Sequence, residues 1–530
     1  MQTTYDTVRK VWSGSKGPCP MFDDSVTLGC ATLLTLKNNP NRICQINADD
    51  ESVRTNGEVY CDTFKFIYNL RKSGCSKGDV VGFICENSHT FTSALLASLY
   101  LAAPPNVLDL TLSKAEIVHI FRISTPKFVF CDDAVVPVVK EALQELSSNA
   151  MLMVLDNLGF TDISDQEIRN LEQSPPLVDR GICGALICGS GTASPTKCIA
   201  LSHAALLRAF NQEDNFNWLE LQNGVICFPS MYWTTAWIAM FTCIFSGVPR
   251  IITTQSFTPK VMLSIVKKYN VAIVLLSPNN MVELFESPLL EEDSLRNLKR
   301  MYFSGSILTE DYLQKILRYV DKEVLKTVYG MTETGIVSIS TSKFLETCLN
   351  VDVDVKILDD RGYQVGVGKP GEICVKTPTQ FTCYFNKPEA TRSVLDPDGW
   401  FYTGDIGYFT DENLLRIVSR KKDIFKYDNH SVIPSEIEEF LEKHPGVLQA
   451  VVAGVPDQVH GALPAALVIR KANSTVTVGE LLKFAEENLP DFKRLYGGVF
   501  FVNELPLTPS GKIKRKECKE MIINLYNGRN

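Results

Sequence analysis

Tyr329, Thr332, Glu333 and Thr334 fall within eight residues, "VYGMTETG". An aromatic face, hydroxyls and one carboxylate at that spacing suit a purine ring on Tyr329. Glu333 is then a hard oxygen ligand of the kind magnesium takes beside phosphates. The same residues also read as a helix start with Thr332 as its cap. "GALICGSGTASPTKCIALSH", from Gly184 to His203, has an apolar run, then Gly189, Ser190, Gly191, Thr192 and, after small residues, Lys197. Backbone N–H groups in such a turn converge on phosphate oxygens, Ser190 and Thr192 add hydroxyl donors, and Lys197 adds a point charge. It is not the Walker pattern, because no Ser or Thr follows the lysine and the spacing differs. An ordinary turn between two strands is the plainer alternative. Asp405 follows Gly404 in "GWFYTGDIGYF", which reads as a tight turn. A carboxylate there accepts two hydrogen bonds from a ribose diol, although turn aspartates are common. "IVSRKKDIFKYDNHSVIPSEIEEF" gathers cations near a strand end, and "PLTPSGKIKRKE" places Lys512 after Ser510 and Gly511 in a flexible turn. Both also read as solvated basic faces.

The chain that must position these residues has 530 of them, too many for one core, so at least two domains are expected. Hydrophobic residues make up 45% and charged residues 22%, which is ordinary for a globular protein. A net charge of −8 with no long basic run argues against nucleic acid as a partner. The 16 cysteines are scattered through apolar runs, with no CxxC pair and no spacing that suits zinc, and read as reduced, mostly buried thiols. The N-terminus has no apolar stretch of the signal-peptide kind, and "LYNGRN" is not a Ser-Lys-Leu peroxisomal tail. The apolar stretches Thr92 to Leu112 and Met231 to Ile252 are broken by Pro, Gly or polar residues and read as buried helix–turn–strand units rather than membrane spans.

Short β-branched runs such as "VVGFIC", "KFVFC" and "VAIVLL" precede helical patterns, which predicts α/β layers with largely parallel sheets. From about Asn350 shorter strands with turn signals predict a smaller β-rich subdomain. After Arg420 "PSEIEEFLEKHPG" predicts a new helical unit, with Ser435 as N-cap and Glu438 closing a capping box. The expected fold is α/β: a large N-terminal domain, 1–420, of layered sheets with the β-rich subdomain, a hinge at 421–422, and a small mobile α+β domain, 423–530.

The order and spacing of these stretches resemble the adenylate-forming superfamily of acyl-CoA synthetases, coumarate-CoA ligases and beetle luciferases. The resemblance spans essentially the whole chain and is strongest in "HPGVLQAVVAGVPDQVHGALPAALVI" and "GGVFFVNELPLTPSGKIKRK". It implies that ATP and a carboxylic acid give an acyl-adenylate and pyrophosphate, with the acyl group passed on to CoA. Ser190, Gly191, Thr192 and Lys197 match the family's phosphate loop. Ser304, Gly305 and Ser306, in "SGSIL", match its adenine-side strand. Tyr329 and Gly330 fall at the stacking position, Thr332 at a phosphate contact, and Glu333 at the Mg2+ ligand. Asp405 matches the ribose aspartate and Arg420 the arginine behind it. Lys512 matches the adenylation lysine, Lys422 the pivot between half-reactions, and Lys426 a lysine on the thioester-forming face. Tyr232 and Trp233, in "FPSMYWTTAW", fall at the acyl pocket, where a tryptophan gates some fatty-acyl members; Trp233 as plain core is the alternative.

Departures from the pattern are concentrated in two places. In the phosphate loop Ala193, Ser194 and Cys198 replace a threonine and two glycines, and a proline has moved forward to Pro195. Near the CoA approach Asn429 stands where the family has a glycine, and Asp428 before it is an acid that opposes a polyphosphate. The resemblance therefore implies a ligase for a medium- or long-chain fatty acid, using ATP, Mg2+ and CoA. A catalytically weakened acyl- or nucleotide-binding relative, or an adenylate-only enzyme, is the competing expectation.

Overall fold

Apolar β-branched runs become buried strands, and the capped amphipathic stretches between them become the helices that cover the sheets. The computed structural model describes the chain apart from positions 1, 18–21, 23–24, 156–157, 177, 180, 190–195, 211–222, 305–309, 342–344, 429, 509–511 and 529–530, and the side chains of 278, 310 and 311. Thr55 with Glu58, Ser113 with Glu116, and Thr477 with Glu480 form capping boxes at three helix starts.

Two sheets stack in the large N-terminal part. The first has 15 strands among the described residues. Its centre is parallel, in the order Ile43–Asn47, Arg250–Ile252, Val225–Cys227, Ile273–Leu276, Arg300–Ser304 and Leu325–Met331. It then turns antiparallel through Gly335–Ser340, Thr347–Leu349, Leu415–Arg420 and Phe401–Phe409. The β-rich stretch expected after Asn350 therefore extends this sheet's edge. The second sheet has seven strands, with Phe128–Cys131, Val81–Ile84, Pro105–Val107, Cys183–Cys188, Cys198–Ser202 and Cys383–Tyr384 in succession. Between the sheets lies a core of helix His89–Tyr100 and helix Thr234–Ser246, with Trp237, Phe241, Phe91 and Phe83 fully buried. These two helices are the expected helix–turn–strand units, leading into Pro105–Val107 and Arg250–Ile252. Among the described residues no helix is long and apolar enough to cross a membrane, and all described cysteines are free.

The third sheet gathers five strands after Arg420, built on the long hairpin of Val447–Asp457 and Gly461–Arg470. Its first helix, Pro434–Glu442, corrects one expectation. Proline takes the first helical position, the cap is Ile433, and no side chain caps the end. Ser435 is thus already inside the helix, and its hydroxyl donates to Val418 O at 2.7 Å. Glu438 is buried and binds Arg515 through both carboxylate oxygens, at 2.8 and 2.6 Å. The bidentate pair with Arg515, whose side chain is 34% exposed, takes the carboxylate that a capping box would have used.

Candidate active site

Asp405 sits mid-strand rather than in the expected tight turn. Asp405 lies in Phe401–Phe409, directly across from Arg420 on the neighbouring antiparallel strand. Gly404 before it takes φ +69°, a left-handed kink that glycine tolerates, and pairing shifts register just beyond, between Ile406 and Gly407. Asp405 is 3% exposed. Its Oδ1 is 2.8 Å from Arg420 Nε, and its Oδ2 accepts from the Tyr329 hydroxyl at 2.8 Å. Burial raises the Asp405 pKa, and the Arg420 guanidinium and the Tyr329 hydroxyl pull it back. The Tyr329 phenol is pushed up by burial and by the Asp405 charge. Tyr329 and Asp405, separated by 76 positions in sequence, thus share a hydrogen bond.

Tyr329 ends no helix. Leu325–Met331 and Gly335–Ser340 form an antiparallel hairpin whose turn carries Thr332, Glu333 and Thr334, so the helix-start alternative is overturned. Two glycines explain it. A Cβ on Gly330 would lie 2.3 Å from Gly335 O, and Gly335 takes φ +68°. A side chain at 330 would collide with the return strand. Ser304 ends the parallel neighbour and pairs with Val328, next to Tyr329.

The turn aims its side chains at two other groups. Glu333 Oε1 accepts from the Tyr384 hydroxyl at 2.8 Å, and Glu333 O accepts from Phe381 N–H at 2.8 Å. Lys197 Nζ lies 4.3 Å over the Tyr384 ring. One tyrosine therefore joins the loop lysine to the turn carboxylate. Tyr384 pairs with Ile199, two residues beyond Lys197, in the antiparallel edge of the second sheet. Nothing in the sequence marks it, since the pairing joins positions 185 apart. One carboxylate held by an outer-shell hydroxyl suits magnesium, which takes few protein ligands and keeps water and phosphate for the rest.

Thr332 Oγ1 is 3.0 Å from Thr234 Oγ1. Both line a narrow cavity of about 20 Å³, room for roughly one water molecule, together with Leu201, Leu206, Phe210 and Ile238. No charged residue lines it among the described residues. Trp233 and Tyr232 precede Thr234; both are buried, their rings 5.0 Å apart edge to face. Tyr232 donates to Gly189 O at 3.5 Å, which ties this aromatic pair to the end of the strand Cys183–Cys188.

The C-terminal turn reaches this place. Lys512 Nζ stands 5.7 Å over the Trp233 ring. The turn is closed by Thr508 N–H to Lys512 O at 2.7 Å and Lys512 N–H to Thr508 Oγ1 at 3.0 Å. Burial lowers the Lys512 pKa, and the Arg420 charge lowers it further. Lys426 is exposed on the strand Phe425–Tyr427, and none of the described contacts joins it to this cluster. Ser190, Gly191, Thr192, Gly305, Ser306 and Asn429 lie outside the described residues. Asp428 takes φ +50°, and its Oδ1 is 2.9 Å from His460 Nδ1.

A pH prediction follows from this electrostatic layout. Lys512 is charged below its lowered pKa and neutral above it, so a step needing that charge fails on the alkaline side. Arg420→Gln removes a cation that disfavours the ammonium. The alkaline limb of the pyrophosphate-exchange profile is expected to move to higher pH in that variant, whatever happens to its plateau. A limb that stays in place would separate Lys512 from the step.

Known proteins resemble this chain over most of its length. The family model of the AMP-binding enzyme covers positions 34–385, and that of its C-terminal domain covers 436–512. The chain is 27% identical to a 4-coumarate–CoA ligase of Nicotiana tabacum, over 90% of this chain and 91% of that protein. It is 28% identical to the luciferin 4-monooxygenase of Luciola mingrelica, over 88% and 89%. An ATP-bound MatB from Rhodopseudomonas palustris shares its fold with a TM-score of 0.83 at 21% identity, over 94% of this chain and 99% of that one. With the first domain model alone spanning most of the chain and the second covering the unit that carries Lys512, the protein belongs to the AMP-binding enzyme family, within the adenylate-forming superfamily.

Proposed function

We propose that this protein activates an apolar carboxylic acid, a medium- or long-chain fatty acid, with ATP and Mg2+, and transfers the acyl group to the thiol of CoA. The observation that carries this reading is Lys512 over Trp233, the residue before the cavity-lining Thr234, and within electrostatic reach of Arg420. A partly buried cation there meets the negative charge that develops when a carboxylate attacks a phosphate. Asp405 and Arg420 would hold the ribose, with Tyr329 and the strand end at Ser304 on the adenine side. Ser190, Gly191, Thr192 and Lys197 would cradle the phosphates. Glu333, oriented by Tyr384, would hold Mg2+, which neutralises phosphate charge when bound. Thr332 and Thr234 offer hydroxyls at the cavity mouth for the reacting carboxylate. Leu201, Leu206, Phe210 and Ile238 favour an uncharged tail, because a second carboxylate there would be desolvated without a partner. The unit after Arg420 would turn about Lys422 between the two half-reactions and bring Lys426 in for the second.

The test is ATP–pyrophosphate exchange over fatty acids of increasing length, coumarate, benzoate and malonate, followed by acyl-CoA formation on adding CoA. Exchange with fatty acids and acyl-CoA product is expected. Exchange confined to aromatic or dicarboxylic acids would overturn the substrate, and exchange without any thioester would overturn the ligase.

Tyr384 supplies a narrower prediction. Tyr384→Phe keeps the ring under Lys197 and deletes the donor to Glu333. The Mg2+ concentration for half-maximal exchange is expected to rise by about 10-fold, the low end for outer-shell partners of a metal ligand. An unchanged Mg2+ titration would remove Glu333 from the metal site.

A further inference from the structure

We propose that Cys188 and Cys198 form a reversible dithiol–disulfide pair at the base of the phosphate loop, and that closing it shuts down ATP use. The inference rests on the reading of Lys197 as the loop's cation. Cys188 ends the strand Cys183–Cys188 and Cys198 begins Cys198–Ser202, so the two bracket positions 189–197. They are direct partners across an antiparallel pair. One position further out, Gly189 N–H donates to Lys197 O at 3.0 Å. Residues 189 and 197 are therefore the hydrogen-bonded pair, and 188 and 198 the closer, non-bonded one. Opposed Cα atoms in that register lie about 4.5 Å apart, within the roughly 4.4–6.8 Å that a disulfide spans. Opposed side chains share one face of the sheet, and the neighbouring Cys188 sulfur raises the Cys198 thiol pKa. Asn106 Nδ2 donates to Cys188 Sγ, at 3.5 Å. Glycine, which the adenylate-forming pattern has at 198, carries no such sulfur.

The oxidant is a small-molecule disulfide such as oxidised glutathione. One cysteine sulfur, as thiolate, attacks it and releases one glutathione thiolate, leaving a mixed disulfide. The second cysteine thiolate attacks the protein-side sulfur and releases the other glutathione. The protein loses two protons and two electrons, and two glutathione thiols are formed. The Cys188 sulfur and then burial push the Cys198 thiol up, and the residues are 2% and 1% exposed, so reaction proceeds slowly, through opening of the hairpin end. Closure draws the two facing sulfurs together to about 2.05 Å. That contraction falls on the strand ends beside Gly189 and Lys197, where a 1 Å misplacement of a positioned group costs on the order of 10²-fold.

The experiment holds the full chain for hours in glutathione buffers of stepped potential, traps thiols by alkylation and maps cysteines by mass spectrometry. Pyrophosphate exchange and ATP affinity by calorimetry are read on the same samples. The expected result is a Cys188–Cys198 cross-link, two hydrogens lighter than the dithiol. Exchange and ATP affinity should each fall by about 10-fold or more in step with it, and dithiothreitol should restore both. Cys188→Ala and Cys198→Ala, each compared with its own reduced form, should lose the redox response. An absent cross-link at the oxidising end, a cross-link that leaves ATP affinity unchanged, or the same response in both variants overturns the proposal. A reduced wild type that binds ATP but exchanges with no acid overturns the ligase reading instead, and ATP affinity still decides the switch.

Discussion

Lys512→Ala is expected to retain the fold and lose about 10²–10³ of the pyrophosphate-exchange rate. The fold survives because the turn that presents Lys512 is closed by its backbone, through Thr508 N–H to Lys512 O and Lys512 N–H to the Thr508 hydroxyl. The helix that follows, Arg515–Asn527, is anchored separately by Arg515 on Glu438. The rate falls because Nζ is the cation set over Trp233, in surroundings that already resist its charge. A partly buried cation held at a lowered pKa is offset once the transition state supplies a negative partner, so its contribution is concentrated in that step. Thermal unfolding should be near that of the wild type while exchange drops. An unchanged exchange rate would move the adenylation role away from Lys512, and a collapsed melting temperature would show the lysine to be structural.

The strands and most helices of this fold are readable in advance because they rest on local signals. "VVGFIC", "KFVFC" and "VAIVLL" are buried on both faces, so their apolar character is continuous and unmistakable. The family resemblance rests on short stretches whose glycines and charges sit at fixed intervals, so Tyr329, Glu333, Asp405 and Lys512 stand out without any coordinates. Local signals fail where a distant partner decides. Thr332 would cap a helix were it not for Gly335, which turns the chain back so closely that Gly330 has no room for a Cβ. Ser435 and Glu438 have capping-box spacing, but Pro434 moves the cap to Ile433 and Arg515, 77 residues on, claims the glutamate. Gly404 and Asp405 look like a turn because glycine before aspartate usually is one, whereas here strand pairing with Arg420 keeps the chain extended around a single kink. Tyr384 is the instructive omission: its ring under Lys197 and its hydroxyl on Glu333 both arise from a sheet edge formed between remote segments.

Lys426→Ala is expected to do the reverse of Lys512→Ala: slow thioester formation from supplied acyl-adenylate on the order of 10²-fold while leaving pyrophosphate exchange nearly intact. Lys512 is docked by Trp233 in the structure, whereas Lys426 stands exposed on Phe425–Tyr427. If the unit after Arg420 turns between steps, each lysine meets the adenylate in only one of its positions, and an interaction made in one transition state affects that step alone. Single-turnover thioester formation and steady-state exchange, measured on both variants, separate the two effects. A loss of both activities in both variants would mean one fixed arrangement serves both steps. Asp428 supplies the counter-test on the same surface. Its carboxylate is partnered by His460 Nδ1 at 2.9 Å but stays half exposed. CoA carries several negative charges, so Asp428→Lys should lower the CoA concentration needed, and more so at low salt, because exposed charges are screened beyond about 10 Å at 0.1 M. Since the His460 contact already answers part of that charge, the gain is expected to be a few-fold only. If wild type exchanges pyrophosphate but forms no acyl-CoA, and Asp428→Lys forms none either, CoA is not the acceptor and the acyl-adenylate is the product.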